Sequence, residues 1–183
     1  AETPGFVVAN AALGQEIEEL VRTGGQFLPR PEMEEEFSYK QIIPYTLFIH
    51  NRQVFVMQRS RGAGEQRLAE KYTIGIGGHV RKKDLTIGGL AEWGRREFEE
   101  EIAYAGQYCG LSLFGLVNDD SNAVGQVHLG VVFVLEGSTN RIEVRSELKS
   151  GMLMDREACL MVRAQMETWS QFVLDALIKA SVI

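Results

Sequence analysis

The sequence predicts an α/β protein in which a mixed β-sheet packs between helices, and three observations predict it. Apolar runs rich in β-formers recur in both halves of the chain, at residues 42–49, 54–57, 111–117 and 127–135. Between them, Leu90, Ala91, Phe98, Ile102 and Ala105 fall near one side of a segment spanning 90–105 when residues are placed about 100° apart. Two further helical segments, around 155–163 and 167–180, close the chain, so strands, a helix, strands and helices follow one another.

Taken in order, the chain starts with a short apolar run, Phe6-Val7-Val8-Ala9, and a helix over 11–21 that Asn10 caps and glycines terminate. Pro29, Arg30 and Pro31, followed by Glu32 and Glu34-Glu35-Glu36, predict an extended acidic connector. Residues 1–40 are thereby set apart as an N-terminal helix and connector, an appendage to a domain spanning 41–183. The runs 42–49 and 54–57, separated by His50-Asn51-Arg52-Gln53, form a hairpin with a tight turn. A polar stretch over 59–71 is a surface loop, and a short strand over 72–76 runs into Gly77-Gly78, where the backbone turns sharply or approaches a ligand closely. Asn118-Asp119-Asp120-Ser121-Asn122 is a turn between the two later strands, and residues 141–144 add an edge strand.

A chain of 183 residues, 45% hydrophobic and 24% charged, fits a single globular domain. Its net charge of -6 argues against a stable nucleic-acid surface, which needs a basic stripe to replace phosphate counterions. Cys109 and Cys159 form no CxxC pair, which argues against structural zinc or a disulfide framework. No stretch approaches the roughly 18 apolar residues of a membrane span, and the start lacks a signal-peptide layout; a cytoplasmic location is the expectation.

The informative segment is Arg96-Glu97-Phe98-Glu99-Glu100-Glu101-Ile102. With Phe98 pointing to the core, Glu97, Glu100 and Glu101 share a sector about 100° wide, and Glu99 points to the other side. Like charges at i,i+4 cost about 0.2–0.5 kcal/mol, and the helix C-terminus disfavours anions further. A hard divalent cation removes both penalties, and carboxylate oxygens, water and phosphate oxygens are the donors Mg²⁺ prefers. The plain alternative is a solvated acidic helix face; the glycine pair upstream and Arg96 beside Glu97 weigh against it.

These residues resemble the Nudix hydrolases, whose box runs Gly, five residues, Glu, seven residues, Arg-Glu, an apolar residue, any residue, Glu-Glu, any residue, Gly and an apolar residue. Arg96-Glu97-Phe98-Glu99-Glu100-Glu101 fits the second half without a gap. The first half departs from it: Gly78 lies eighteen positions before Arg96 instead of fourteen, an insertion of about four residues within 79–86. The box's first Glu then falls at Gly88, so that carboxylate is missing or replaced by Asp84 or Glu92, and Ala103 stands in place of the closing Gly, with Tyr104 in the apolar position.

The resemblance implies a Nudix-like α/β/α sandwich over 41–183, with Mg²⁺ or Mn²⁺ bound by Glu97, Glu100 and Glu101. It also implies hydrolysis of a diphosphate linkage in a nucleoside diphosphate derivative. Gly77 and Gly78 approach the substrate, Arg96 joins Glu97 and Glu100 in the catalytic group in a bracing role, and homodimers are common in the family. The general base is Glu97, Glu100 or a carboxylate bordering a later strand: Asp119, Asp120, Glu143 or Glu147.

Weaker candidates each have a plain alternative. His79 could touch a phosphate or be an ordinary loop histidine, and His128 fits a satisfied core histidine. Trp93, Trp169 and Phe172 could stack on a base, though core packing accounts for them. Arg81, Lys82 and Lys83 could reach terminal phosphates or form a solvated loop. Two rival functions are a non-catalytic Nudix-like module binding a nucleotide or protein, and isomerisation of an isoprenoid diphosphate. The glutamate trio weighs against the first, and the absence of a cysteine near Gly77-Gly78 against the second.

Overall fold

A computed structural model describes residues 5–59, 70–82, 89–145 and 148–183, with the side chains of residues 148 and 149 outside the description. Asp84, Gly88, Lys83 and Glu147 therefore lie outside the described residues.

Strand β1 (Phe6–Val8) precedes helix α1 (Ala11–Gly24) and the short α2 (Arg30–Met33). The hairpin β2 (Gln41–His50) and β3 (Gln53–Arg59) follows, then β4 (Tyr72–Thr73), β5 (Ile76–Gly77) and helix α3 (Gly89–Glu101). Strands β6 (Ile102–Tyr104) and β7 (Tyr108–Val117), the short α4 (Ala123–Val127), β8 (His128–Gly137), β9 (Ile142–Val144) and β10 (Leu148–Met154) come next. Helices α5 (Arg156–Val162) and α6 (Thr168–Lys179) complete the chain.

The main sheet has the order β1-β7-β8-β2-β3-β10, with β4 beside β3 and β5 beside β2; β6 and β9 form a separate pair. Its centre is the parallel pair β2/β8, and its other pairings are antiparallel. Parallel neighbours need a crossover, and the segment between them contains α3. The helix carrying the glutamates is thus laid against the middle of the sheet.

Alternation along the central strands sorts the core into two layers. Tyr45, Leu47, Ile49, Val132 and Val134 face α6, where Val173, Leu174 and Leu177 are buried. Phe48, Phe55 and Leu135 face the opposite way onto Phe98 and Ile102. Nearby, Leu90 of α3 packs with Val131 and Phe133, and Ile17 and Val21 of α1 join them. A sheet covered on both faces is the α/β/α sandwich expected.

The hairpin turn forms at Asn51 and Arg52, both at positive φ (47° and 62°), as a two-residue connection that follows strand twist requires. Asn10 caps α1, accepting from Leu13 N–H at 2.9 Å. The chain over 1–40 supplies more than that helix. Phe6 is buried in the α6-side core, and β1 pairs with β7 (Phe6↔Val117), making it an edge strand of the main sheet.

Where α3 crosses β2, Gly94 permits the approach: a Cβ there would meet Thr46 Oγ1 at 2.6 Å and Pro44 Cβ at 3.2 Å. Both neighbours are stiff, so Gly94→Val forces helix and sheet apart. A destabilisation of about 1–3 kcal/mol is expected from overpacking, seen in urea as a lower midpoint; an unchanged midpoint would mean that this crossing tolerates expansion.

Candidate active site

Helix α3 buries Leu90, Trp93, Gly94 and Phe98, and this register disposes the glutamates. Glu99 lies on one side, its carboxylate accepting from Arg95 Nη1 at 2.8 Å. Glu97 lies on the other and turns toward the strand end at Gly78. A Cβ at Gly78 would stand 2.5 Å from Glu97 Oε2, so a side chain there would displace this carboxylate from its present seat. The Glu97 side chain is 16% exposed and Glu100 is 64% exposed. Glu101, the last residue of α3, accepts from Arg145 N–H through its carbonyl, while its carboxylate acts electrostatically on Arg59.

Arg96 sits between two of these acids. Its guanidinium lies 3.9 Å from the centroid of the Trp93 ring, with Nε 3.8 Å from Glu100 Oε1 and Nη2 4.0 Å from Glu97 Oε1. Stacking on a buried ring fixes the planar group, so that its charge is shared between neighbouring carboxylates. Trp93 is thereby a core residue beneath the site. Trp169 packs edge-on against Tyr45 and, like Phe172, against the α6-side core.

Gly78 and Glu97 open onto a cleft of about 1000 Å³. Its other walls come from the end of α1, the chain that follows, α2, the start of β2 and residues 78–81. Phe27 and Tyr39 line it and are 46% and 48% exposed. Neither aromatic stands out in the sequence, since both lie in an aperiodic connector. Arg81 and His79 line the same cleft.

At one end of the cleft His79 meets His128, Nε2 to Nε2, at 3.2 Å. His128 is 6% exposed, and its Nδ1–H donates to Val124 O at 2.7 Å. Burial, together with Arg30 and His128, pushes His79 down to about 4, with Glu34 opposing. Among the described residues, Glu34, His79 and His128 are the group whose ligand atoms all lie within 4.8 Å of one another. The α3 glutamates are not drawn together to that degree, as mutual repulsion favours.

The later acids are committed elsewhere. Asp119 accepts from Ser121 N–H, Ser121 Oγ and Asn122 Nδ2 (3.1, 2.5 and 2.7 Å), holding the turn before α4. Asp120 pairs with Lys40 at 2.5 Å, and Glu143 projects to solvent from β9. Glu92, which could replace the missing box glutamate, pairs with Arg95 at 2.7 Å on its own helix.

The α3 carboxylates suit a hard divalent cation in donor chemistry, since every group offered is an oxygen anion. The seat of Glu97 beneath Gly78 supports that fit, because the glycine keeps the carboxylate accessible at the cleft wall.

No family model matches the chain. Protein YmaB of Bacillus subtilis is 34% identical over 169 residues, covering 81% of this chain and 76% of YmaB. The crystal structure of Tm1382, provisionally described as a Nudix hydrolase, superposes with a TM-score of 0.77 at 26% identity, over 96% of this chain and 89% of Tm1382. The bifunctional NMN adenylyltransferase/ADP ribose pyrophosphatase of Francisella tularensis, crystallised with AMP and a manganese ion, gives a TM-score of 0.59 at 14% identity. That match covers 92% of this chain and 47% of the other, and is a likeness of fold. Among the described residues no helix is long and apolar enough to cross a membrane. With an α/β/α sandwich, the Arg-Glu and Glu-Glu half of the box on α3 and these likenesses, the chain belongs to the Nudix hydrolase family.

Proposed function

We propose that this protein hydrolyses the diphosphate linkage of a nucleoside diphosphate derivative, with Glu97, Glu100 and Glu101 holding Mg²⁺ or Mn²⁺. The observation that carries this reading is the Glu97 carboxylate seated against Gly78 at the wall of the cleft. The Francisella relative of this fold, an ADP ribose pyrophosphatase crystallised with manganese, lends support from outside the chain. A divalent cation bound there supplies charge neutralisation at the phosphoryl oxygens and lowers the pKa of a bound water.

The chain's own residues do the rest. Arg96 braces Glu97 and Glu100 from its seat on Trp93. Phe27 and Tyr39 offer faces on which a nucleobase stacks. The passage of backbone at Gly77-Gly78 lets the diphosphate approach the helix. Among the described carboxylates, Glu97 and Glu100 are the ones placed to take the proton of the attacking water, since Asp119 and Asp120 are held in the turn before α4 and Glu143 projects to solvent.

Glu99 has no part in this. Its partner is Arg95 in an exposed i,i+4 pair, worth about 0.3–0.5 kcal/mol. Glu99→Gln is therefore expected to leave kcat/KM within about twofold of wild type, and a severe loss in a steady-state assay would mean that the wrong face of α3 has been assigned. The function itself is tested by product release from a panel of nucleoside diphosphate derivatives with Mg²⁺, Mn²⁺ or EDTA. Cation-dependent release of two phosphorylated products is expected. Nucleotide binding without turnover across the panel would favour a non-catalytic module.

A further inference from the structure

We propose that Glu34, His79 and His128 form a second cation site, selective for a borderline first-row divalent ion of the Zn²⁺ class and separate from the glutamates of α3. The three come from distant parts of the sequence: Glu34 from the residue that ends α2, His79 from the stretch after β5, and His128 from the first position of β8. Backbone pairing brings them together. Gln41 is the register partner of His128 in the parallel pair β2/β8, and its side-chain amide donates to Met33 O at 3.3 Å. That bond holds the end of α2, and with it Glu34, beside the histidine.

Geometry supports a shared ion. Two imidazole nitrogens about 2.0–2.1 Å from a tetrahedral metal stand about 3.3 Å apart; here the two Nε2 atoms are 3.2 Å apart. Tautomer supports it too. His128 donates its Nδ1–H to Val124 O, so in the neutral ring the lone pair is on Nε2, directed at His79. A backbone carbonyl fixing the far nitrogen is the arrangement that orients metal-ligating histidines. His79 meets the same demand by carrying its proton on Nδ1, so neither neutral ring has to lose a proton.

The donor set decides the class of ion. Two imidazoles suit zinc, cobalt, nickel or iron better than magnesium or calcium. Two histidines and one carboxylate leave a fourth tetrahedral position open, as in zinc sites that bind water or substrate. His79 lines the cleft, so that position has access to it. Arg30 Nε donates to Glu34 Oε1 at 2.9 Å, which keeps the carboxylate ionised while its positive charge moderates the affinity for a cation.

The test is a Co²⁺ titration of the chelator-treated full chain, followed by the visible d–d bands that distinguish four-coordinate from hydrated cobalt. One equivalent is expected to produce intense bands, competed away by Zn²⁺ and insensitive to excess Mg²⁺. His79→Gln and His128→Gln should each weaken binding at least tenfold and lose the bands, whereas Glu100→Gln should retain them. Bands absent from wild type, or unchanged in both histidine variants, would overturn the proposal. Bands lost only in Glu100→Gln would place the ion on α3 and overturn it equally. Because His128 is buried, proton NMR of the wild-type cobalt form gives a variant-free readout. Two exchangeable imidazole N–H signals are expected outside the diamagnetic range, and their absence overturns the site. No nucleotide is present in these measurements, so their outcome is independent of the hydrolase reading.

Discussion

Glu100→Gln is expected to lower kcat/KM with Mg²⁺ by about a hundredfold or more, the scale on which single preorganised electrostatic contacts act in a transition state. The substitution keeps the shape of the side chain and removes its charge. Because Glu100 is 64% exposed and Arg96 Nε lies 3.8 Å away, folding should change by no more than about 0.5 kcal/mol, as at other surface positions. Activity and stability thus separate in one variant. Steady-state kinetics with a cation titration, alongside a urea melt, checks both. If the lost activity returns at high Mg²⁺, Glu100 contributes mainly to binding the ion; if it does not, Glu100 also acts on the reacting water.

Gly78→Val should cost about as much by a different route. The backbone at Gly78 passes so close to Glu97 that a Cβ would stand 2.5 Å from Oε2, 2.9 Å from Cδ and 3.1 Å from Cγ. The requirement is for space and not for an unusual φ, since Gly78 is not among the positive-φ glycines. The added side chain pushes the carboxylate from its seat, and a misplacement of about 1 Å at a reacting centre can cost about a hundredfold. The expected pattern is a fall in kcat with the circular dichroism spectrum retained. Full activity in Gly78→Val would show that the position of Glu97 does not matter to turnover.

How far the sequence reaches depends on whether a signal is periodic. The register of α3 was legible because Phe98 is buried and the glutamates flank it in a fixed angular order; Glu99 falls on Arg95 and Glu97 on Gly78 as helical geometry requires. Its end was not legible. The apolar pattern continues to Ala105, yet the helix stops at Glu101 because residues 102–104 pair with β9 (Ile102↔Val144), a long-range interaction that overrides local pattern. Strand β10 leaves no clear pattern in the sequence because Lys149, Ser150 and Gly151 interrupt its alternation, although it pairs with β3 along most of its length.

Helix α2 lies where proline argued for an extended connector. A proline in the first turn of a helix lacks only an N–H that has no partner there, so Pro31 starts a helix as readily as it prevents one. The strand at Phe6 is similarly short, and only its pairing with β7 and the burial of Phe6 make it part of the sheet.

The same distinction separates the two groups of candidate ligands. Glu97, Glu100 and Glu101 are neighbours in sequence and announce themselves by spacing. Glu34, His79 and His128 are scattered, and the pairing of β2 with both β8 and β5 gathers them. Taken alone, His128 fits a satisfied core histidine, as its bond to Val124 O shows. Its other nitrogen, facing His79, is visible only in three dimensions. The cleft aromatics Phe27 and Tyr39 follow the same rule, whereas Trp93 and Trp169 pack into or against the core.

The central claim is that α3 holds the cation that supports hydrolysis of a diphosphate. It is tested most directly by ³¹P NMR of the panel of nucleoside diphosphate derivatives incubated with wild type and with Glu100→Gln, in Mg²⁺ and in EDTA. The predicted result is conversion of the diphosphate resonances into two monophosphate resonances by wild type in Mg²⁺ only, with Glu100→Gln at least a hundredfold slower. Conversion at the wild-type rate by Glu100→Gln, or by wild type in EDTA, would contradict it.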